Sequence, residues 1–328
     1  MTNQPGQNPG QAALDWGSYL AILITERGSL AAVAAHLAAQ RGFTESTESI
    51  ERGLRRLRGR ASHDGGVWGQ RVLRVFGLPS SVHDRIRWMG QYHSRFSDLP
   101  TSLCLELIRP WCRPPISAST SRIWLHLGLG SIAMRQRDRE TAAEHIAQAG
   151  AVGPLAPLAA RIELALVRAF LVSLRDDAWG LRLLEEAEVL LEGGPLSAAD
   201  RACLTARLID QQAYRLNKPR DGSPPDHHRA HALYTTIPTQ GAPPFALCRR
   251  ENGLGWSSLR VGDRAAAVAH ARASVAHAGD SGSLRMRAMA LNLLSAVLEG
   301  EAADDTRQRA VGIARRLEDE ALQVRLTR

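Results

Sequence analysis

RIWLHLGLGSIAMRQRDRETAAEHIAQAGAVGP, residues 122–154, is the stretch whose reading decides the fold. Its spacing predicts two short antiparallel helices joined by a polar turn at Gln136–Arg139. Gly130 sits in the first helix, Ala142 comes twelve residues later, Ala149 seven beyond that, and Pro154 closes the unit. Small residues at those places let two helix backbones approach, while Trp124, Leu127 and Ile146 fill the space between them. A hairpin of this size cannot bury its own apolar faces, so the pattern calls for stacked copies.

Copies follow. Ala156–Leu174 and Asp176–Leu191 form a second pair, with Gly180 and Ala187 seven apart. Ala199–Leu216 pairs with His228–Ile237 across a long insert, Asn217–Asp226. Phe245–Ala278 is the clearest copy: Gly255, the turn Val261–Asp263, Ala267 twelve after Gly255 and Ser274 seven later. Leu284–Leu298 and Asp304–Ala321 make the last pair. The expected fold class is therefore all-α, with about five hairpins over residues 116–328. The composition agrees, because alanine, leucine and arginine dominate and aromatics are only 5% of the chain.

The glycine–alanine–alanine spacing, the Gly262–Asp263 turn and the Pro154 break resemble tetratricopeptide (TPR-like) repeats over Ser117–Thr327. The resemblance implies an α-solenoid whose concave face, built mainly from first helices, binds a peptide or protein segment. On that implication Arg122, His126, Arg168, Arg207, Gln211, Arg249, Asn252 and Arg287 would line the groove, and a basic groove suits acidic peptides or a free carboxylate.

Upstream, residues 1–12 are rich in Gln, Asn, Gly and Pro and read as a disordered lead-in. A helical domain is expected over 13–115, with its boundary at the Pro110, Pro114 and Pro115 cluster. It begins with three helices. Trp16, Leu20, Leu23 and Ile24 share a face until Gly28. Ser29 caps LAAVAAHLAAQR, and Gly42 stops it. Thr44, Ser46 or Thr47 then caps SIERGLRRLRGR, whose Ile50, Leu54 and Leu57 face inward. Leu14–Arg60 resembles a helix-turn-helix domain. Arg52, Arg55, Arg56, Arg58 and Arg60 avoid the apolar stripe of the third helix, and the resemblance implies contact with guanine edges or phosphates of double-stranded DNA. The other reading is a solvated or internally packed arginine face. Residues 66–76 fit either a small β-wing or one helical face of Trp68, Val72, Val75 and Phe76, with the helix preferred.

Other chemistry is thin. The formal charge is +8, and Lys218 is the only lysine, so arginine carries the positive charge. Cys104, Cys112, Cys203 and Cys248 have no CxxC spacing and read as reduced and buried. The start of the chain has no signal-peptide core, and the longest apolar run, Leu164–Leu174, is interrupted by Arg168, so a cytoplasmic protein without membrane contact is expected. GLGSIA at Gly128–Ala133 matches a dinucleotide-binding pattern in letters only, since it lies within a helix. His227 and His231 are four apart, as in some zinc sites, but Asp226 as a helix cap explains the same residues. No catalytic residue, metal or cofactor is expected. The function expected is a DNA-binding regulator with a peptide- or protein-binding repeat domain, the alternative being an interaction adaptor without DNA binding.

Overall fold

The computed structural model describes residues 14–42, 44–173, 176–218 and 224–327. The lead-in at 1–12 and the middle of the 217–226 insert lie outside the described residues. Seventeen α-helices and four short 3-10 turns make up the regular structure among the described residues, and no strand occurs there.

The N-terminal helices are α1 (Trp16–Arg27), α2 (Leu30–Ala38), α3 (Thr47–Arg58), α4 (Gly66–Phe76), α5 (Ser80–Gly90) and α6 (Thr101–Ile108). Residues 66–76 are helical, as preferred from the pattern. Asp15, Ser29 and Ser46 cap α1, α2 and α3 by accepting from the third backbone N–H onward. Trp16 is fully buried among α1, α3 and α4, and its indole donates to the His63 carbonyl at 2.9 Å. Gly65 and Gly69 give that ring room, since a Cβ at either would stand 2.7 Å or less from it.

Five hairpins follow: α7 (Arg122–Arg135) with α8 (Arg139–Gly150), α9 (Leu158–Val172) with α10 (Asp177–Glu192), α11 (Ala198–Leu216) with α12 (His227–Thr235), α13 (Pro244–Arg260) with α14 (Arg264–Ser281), and α15 (Leu284–Val297) with α16 (Gly300–Arg316). Each first helix touches the next one, and each second helix packs between its partner and the following first helix. The small-residue spacing has a direct physical cause. A Cβ on Gly130 would stand 2.9 Å from Ile146 Cδ1 on the partner helix, and one on Gly255 3.3 Å from His270 Cβ on its partner helix and 2.6 Å from Leu293 Cδ2 on the next first helix. Asp138, Asp176, Asp226 and Asp263 cap the second helices of the first four hairpins. These short acidic caps satisfy N–H groups that the helix itself leaves open.

One helix boundary differs from the sequence reading. The last helix is not continuous through Ala321: Glu318 takes a positive φ of 52°, Asp319 caps α17 (Glu320–Leu326), and the Asp319 N–H bonds the Ala314 carbonyl at 3.1 Å. This reproduces the α7–α8 turn, where Arg137 has φ of 62° and the Asp138 N–H reaches Ala133 O at 2.9 Å. One apolar cluster includes buried residues on both sides of residue 115, from Leu14 to Val167. Helix α5 lies directly on α7, so residues 80–111 are packed onto the hairpin stack.

Candidate functional site

Two polar regions stand out, one on α3 and one on the face formed by the first helices. On α3, Ile50, Leu54 and Leu57 are buried, and Gly53 lies flat under the Trp68 ring of α4. Arg52, Arg55, Arg56, Arg58 and Arg60 are all exposed. Arg55 pairs with Glu51 one turn back, and Arg60 donates to the Asp64 carbonyl at 2.7 Å. Arg52, Arg56 and Arg58 form no ion pair among the described residues. Glu48 sits in the first turn, where its own backbone amide, then Ser46 and Arg52, hold its carboxyl below the ordinary value. The connection from α2 to α3 spans Ala39–Ser46, and an ion pair between Glu45 and Arg71 ties it to α4.

The face of the first helices is not an open groove. From α11 onward it is covered by the chain's own residues 87–102. Asp200 of α11 takes Arg87, the Gln91 amide at 2.9 Å and His93 at 3.6 Å. The His93 hydrogen bond first, then Ser197 and Arg87, hold the Asp200 carboxyl far below its ordinary value against the effect of burial. The Tyr92 ring inserts between three guanidinium groups, with ring-centre distances of 4.3 Å to Arg207, 5.3 Å to Arg249 and 5.4 Å to Arg285. Its hydroxyl accepts from Arg249 Nη2 at 3.1 Å. Burial alone would push the Tyr92 phenol up, but the three guanidinium charges, Arg285 first, outweigh it and hold it below the ordinary value.

Each guanidinium is also paired to a carboxylate: Arg207 to Glu163, Arg249 to Asp210 and Arg285 to Asp319. Further along, Asp98 accepts from Ser283 Oγ at 2.9 Å and the Arg285 amide at 3.0 Å, at the start of α15. The Thr101 amide bonds Leu317 O at 3.1 Å, and Ser102 donates to the Glu318 carboxylate. Arg135 is buried and bridges the carbonyls of Leu99 and Leu317.

The residues expected in the groove therefore divide. Arg207 and Arg249 converge on Tyr92 but are buried, contrary to the expectation that they are exposed. Gln211 donates to Leu166 O at 3.0 Å and Asn252 to Met289 O at 3.4 Å, so both join adjacent first helices. His126 faces His145 across the first hairpin at 3.4 Å, with Arg122 close enough to repel its protonated form. Arg168 is partly buried and Arg287 exposed, both away from the Tyr92 cluster. Tyr92, Arg285, Asp200 and Asp319 were missed. Asp319 had a signal, because Ala314–Asp319 repeats the Ala133–Asp138 spacing; Tyr92 had none, lying between helices in a stretch without periodicity.

Among the described residues no group of three or more potential metal ligands occurs. His227 bonds Asn217 Oδ1 at 2.8 Å, and Asp226 accepts from the Arg229 amide at 2.9 Å. All four cysteines are free thiols; three are buried, but Cys112 is exposed, contrary to expectation. No single helix is long and apolar enough to cross a membrane. Comparison of the chain with known protein families, curated proteins and solved structures finds no match.

Proposed function

We propose that the chain is a cytoplasmic DNA-binding regulator, with a helix-turn-helix-like unit at α1–α3 and TPR-like hairpins that bind a peptide or protein segment. The observation that carries this reading is the exposure of all five arginines on and just after α3 while its apolar stripe is wholly buried. Among the described residues Arg52, Arg56 and Arg58 form no ion pair, so neutralising DNA phosphates breaks no ion pair there. Phosphate neutralisation releases counterions, and binding through it weakens as salt rises.

Gel-shift titration with a random-sequence duplex at low and moderate salt tests the reading. Retardation at low salt that weakens at moderate salt, and is weaker at both on replacing Arg52, Arg56 and Arg58 by alanine, is the expected result. No retardation at either salt overturns it. The second reading is an adaptor without DNA contact. It is favoured by the Glu45–Arg71 tie and the Arg55–Glu51 pair, which draw the α3 surroundings into internal contacts. The adaptor reading expects the triple-alanine chain to behave like wild type toward DNA.

A further inference from the structure

The segment over the first helices differs from ordinary core in how its two sides are held. Its apolar anchor, Phe96, is buried on the α5–α7 side, with its ring 5.1 Å from that of Trp88. Its other side meets α11, α13, α15 and the α16–α17 turn mainly through guanidinium, carboxylate, hydroxyl and carbonyl groups. Apolar contact is also made there: the Phe245 ring centre lies 6.4 Å from Tyr92 and 5.6 Å from His93, and Tyr92 packs against the cluster that holds Phe245, Cys248 and Met286. Between α5 and α6 the backbone makes a turn at Tyr92–His93, closed by the Ser94 N–H on Gln91 O at 3.1 Å, and one 3-10 turn, Arg95–Asp98, so few of its amides are tied into an α-helix.

The seam is also imperfectly satisfied. Arg87 Nε, His93 Nδ1 and Arg249 Nε are buried there without a hydrogen-bond partner, and a void of about 30 Å³ lies between Tyr92, Ser94, Phe245 and Arg285. Buried polar groups left unpaired are unfavourable, and a seam that concentrates them is closer in energy to its opened form than a packed apolar core. Opening that keeps Phe96 on the α5–α7 side would give up the Tyr92 contact with the Phe245 cluster and transfer the polar groups to water.

We infer that residues 91–99 are an intramolecular ligand, latched onto a peptide-recognition surface formed by Arg207, Arg249, Arg285 and the start of α15. The surface takes in trans a protein segment of the same chemistry: an aromatic hydroxyl that fits between the guanidinium groups, and a carboxylate six residues later that meets the Arg285 amide and the Ser283 hydroxyl as Asp98 does. The inference rests on reading the first-helix face as a peptide site, and it adds that the site is self-occupied. The latch continues directly into α5, so its release is transmitted to the helix that joins the stack to α1–α4.

The probe is a fluorescent synthetic peptide of residues 87–102, read by anisotropy against the wild-type chain and against full-length Tyr92→Ala and Asp98→Asn chains. Either substitution loosens the latch at a different point and leaves the receiving arginines in place. A latch closed most of the time reduces apparent affinity by the closed-to-open ratio, so both variants should bind the peptide at least about ten-fold tighter than wild type. A peptide carrying Tyr92→Ala should lose that binding. Equal affinity for wild type and variants overturns the latch and leaves the peptide site standing. No binding to any chain overturns the peptide site itself. If both variants lose helicity, hydrogen exchange of the wild-type chain decides. Exchange of the Thr101 and Ser102 amides at least about ten-fold faster than that of α13 supports the latch, and equal protection overturns it.

Discussion

Gly90→Ala tests how closely α5 and α7 approach. Gly90 ends α5, and a Cβ there would stand 2.0 Å from the carbonyl oxygen and 2.6 Å from the carbonyl carbon of Trp124. Ordinary contact begins near 3.4 Å, so α7 must retreat by 3.4 − 2.0, about 1.4 Å, from backbone atoms that cannot rotate away. Gly128 makes the reciprocal contact, since its Cβ would meet Met89 O at 2.7 Å and Ile108 Cδ1 at 2.8 Å. Helix propensity alone favours alanine over glycine by up to about 1 kcal/mol. Overpacking costs about 1–3 kcal/mol, and the rigid neighbours put this site at the upper end. The net expectation is destabilisation. Gly312→Ala, inside α16 with no heavy atom within 4 Å, is the control and should stabilise by about 0.5–1 kcal/mol. Urea unfolding followed by circular dichroism reads both; with m near 3 kcal/mol/M, Gly90→Ala lowers the midpoint by about 0.3–0.7 M. A Gly90→Ala chain as stable as wild type would refute the close approach.

Glu163→Ala leaves the Arg207 guanidinium buried without its carboxylate and should cost about 3–5 kcal/mol in the same assay, whereas Glu163→Leu with Arg207→Leu should recover part of that loss. For His126, burial first, then His145 and Arg122, lower the imidazole from 6.5 to about 4. Between those values the unfolded chain takes up a proton that the folded chain does not, so stability should fall as pH drops from 6.5 toward 4 and stay level above. His126→Gln should flatten that part of the profile, and an unchanged slope would show that another group is responsible.

The fold was legible where its cause is local. Glycine–alanine spacing reports a backbone approach within one hairpin, and Asp138, Asp176, Asp226 and Asp263 report caps three residues away, so both repeat along the chain in readable form. The exposure of the α3 arginines followed from their angle to Ile50, Leu54 and Leu57 for the same reason. What could not be read is contact at long separation. Tyr92 and Arg285 lie 193 positions apart, and Thr101 reaches Leu317 across 216. Nothing in the periodicity of either stretch encodes the other. The sequence reading took polar residues on first helices as exposed because the repeat resemblance implies a concave groove there, whereas from α11 onward that face is covered by a polar segment. A buried face satisfied by ion pairs carries the same letters as a solvated one.

The most direct test of the DNA reading is the salt dependence of duplex binding, measured by fluorescence anisotropy from 50 to 200 mM salt. Each phosphate neutralised contributes about −0.9 to the slope of log K against log salt. Arg52→Ala, Arg56→Ala and Arg58→Ala combined should make the slope shallower by about 2–3 and leave far-UV helicity unchanged. Binding with the same slope in both chains would contradict the account, because the charge that meets DNA would then lie somewhere other than α3.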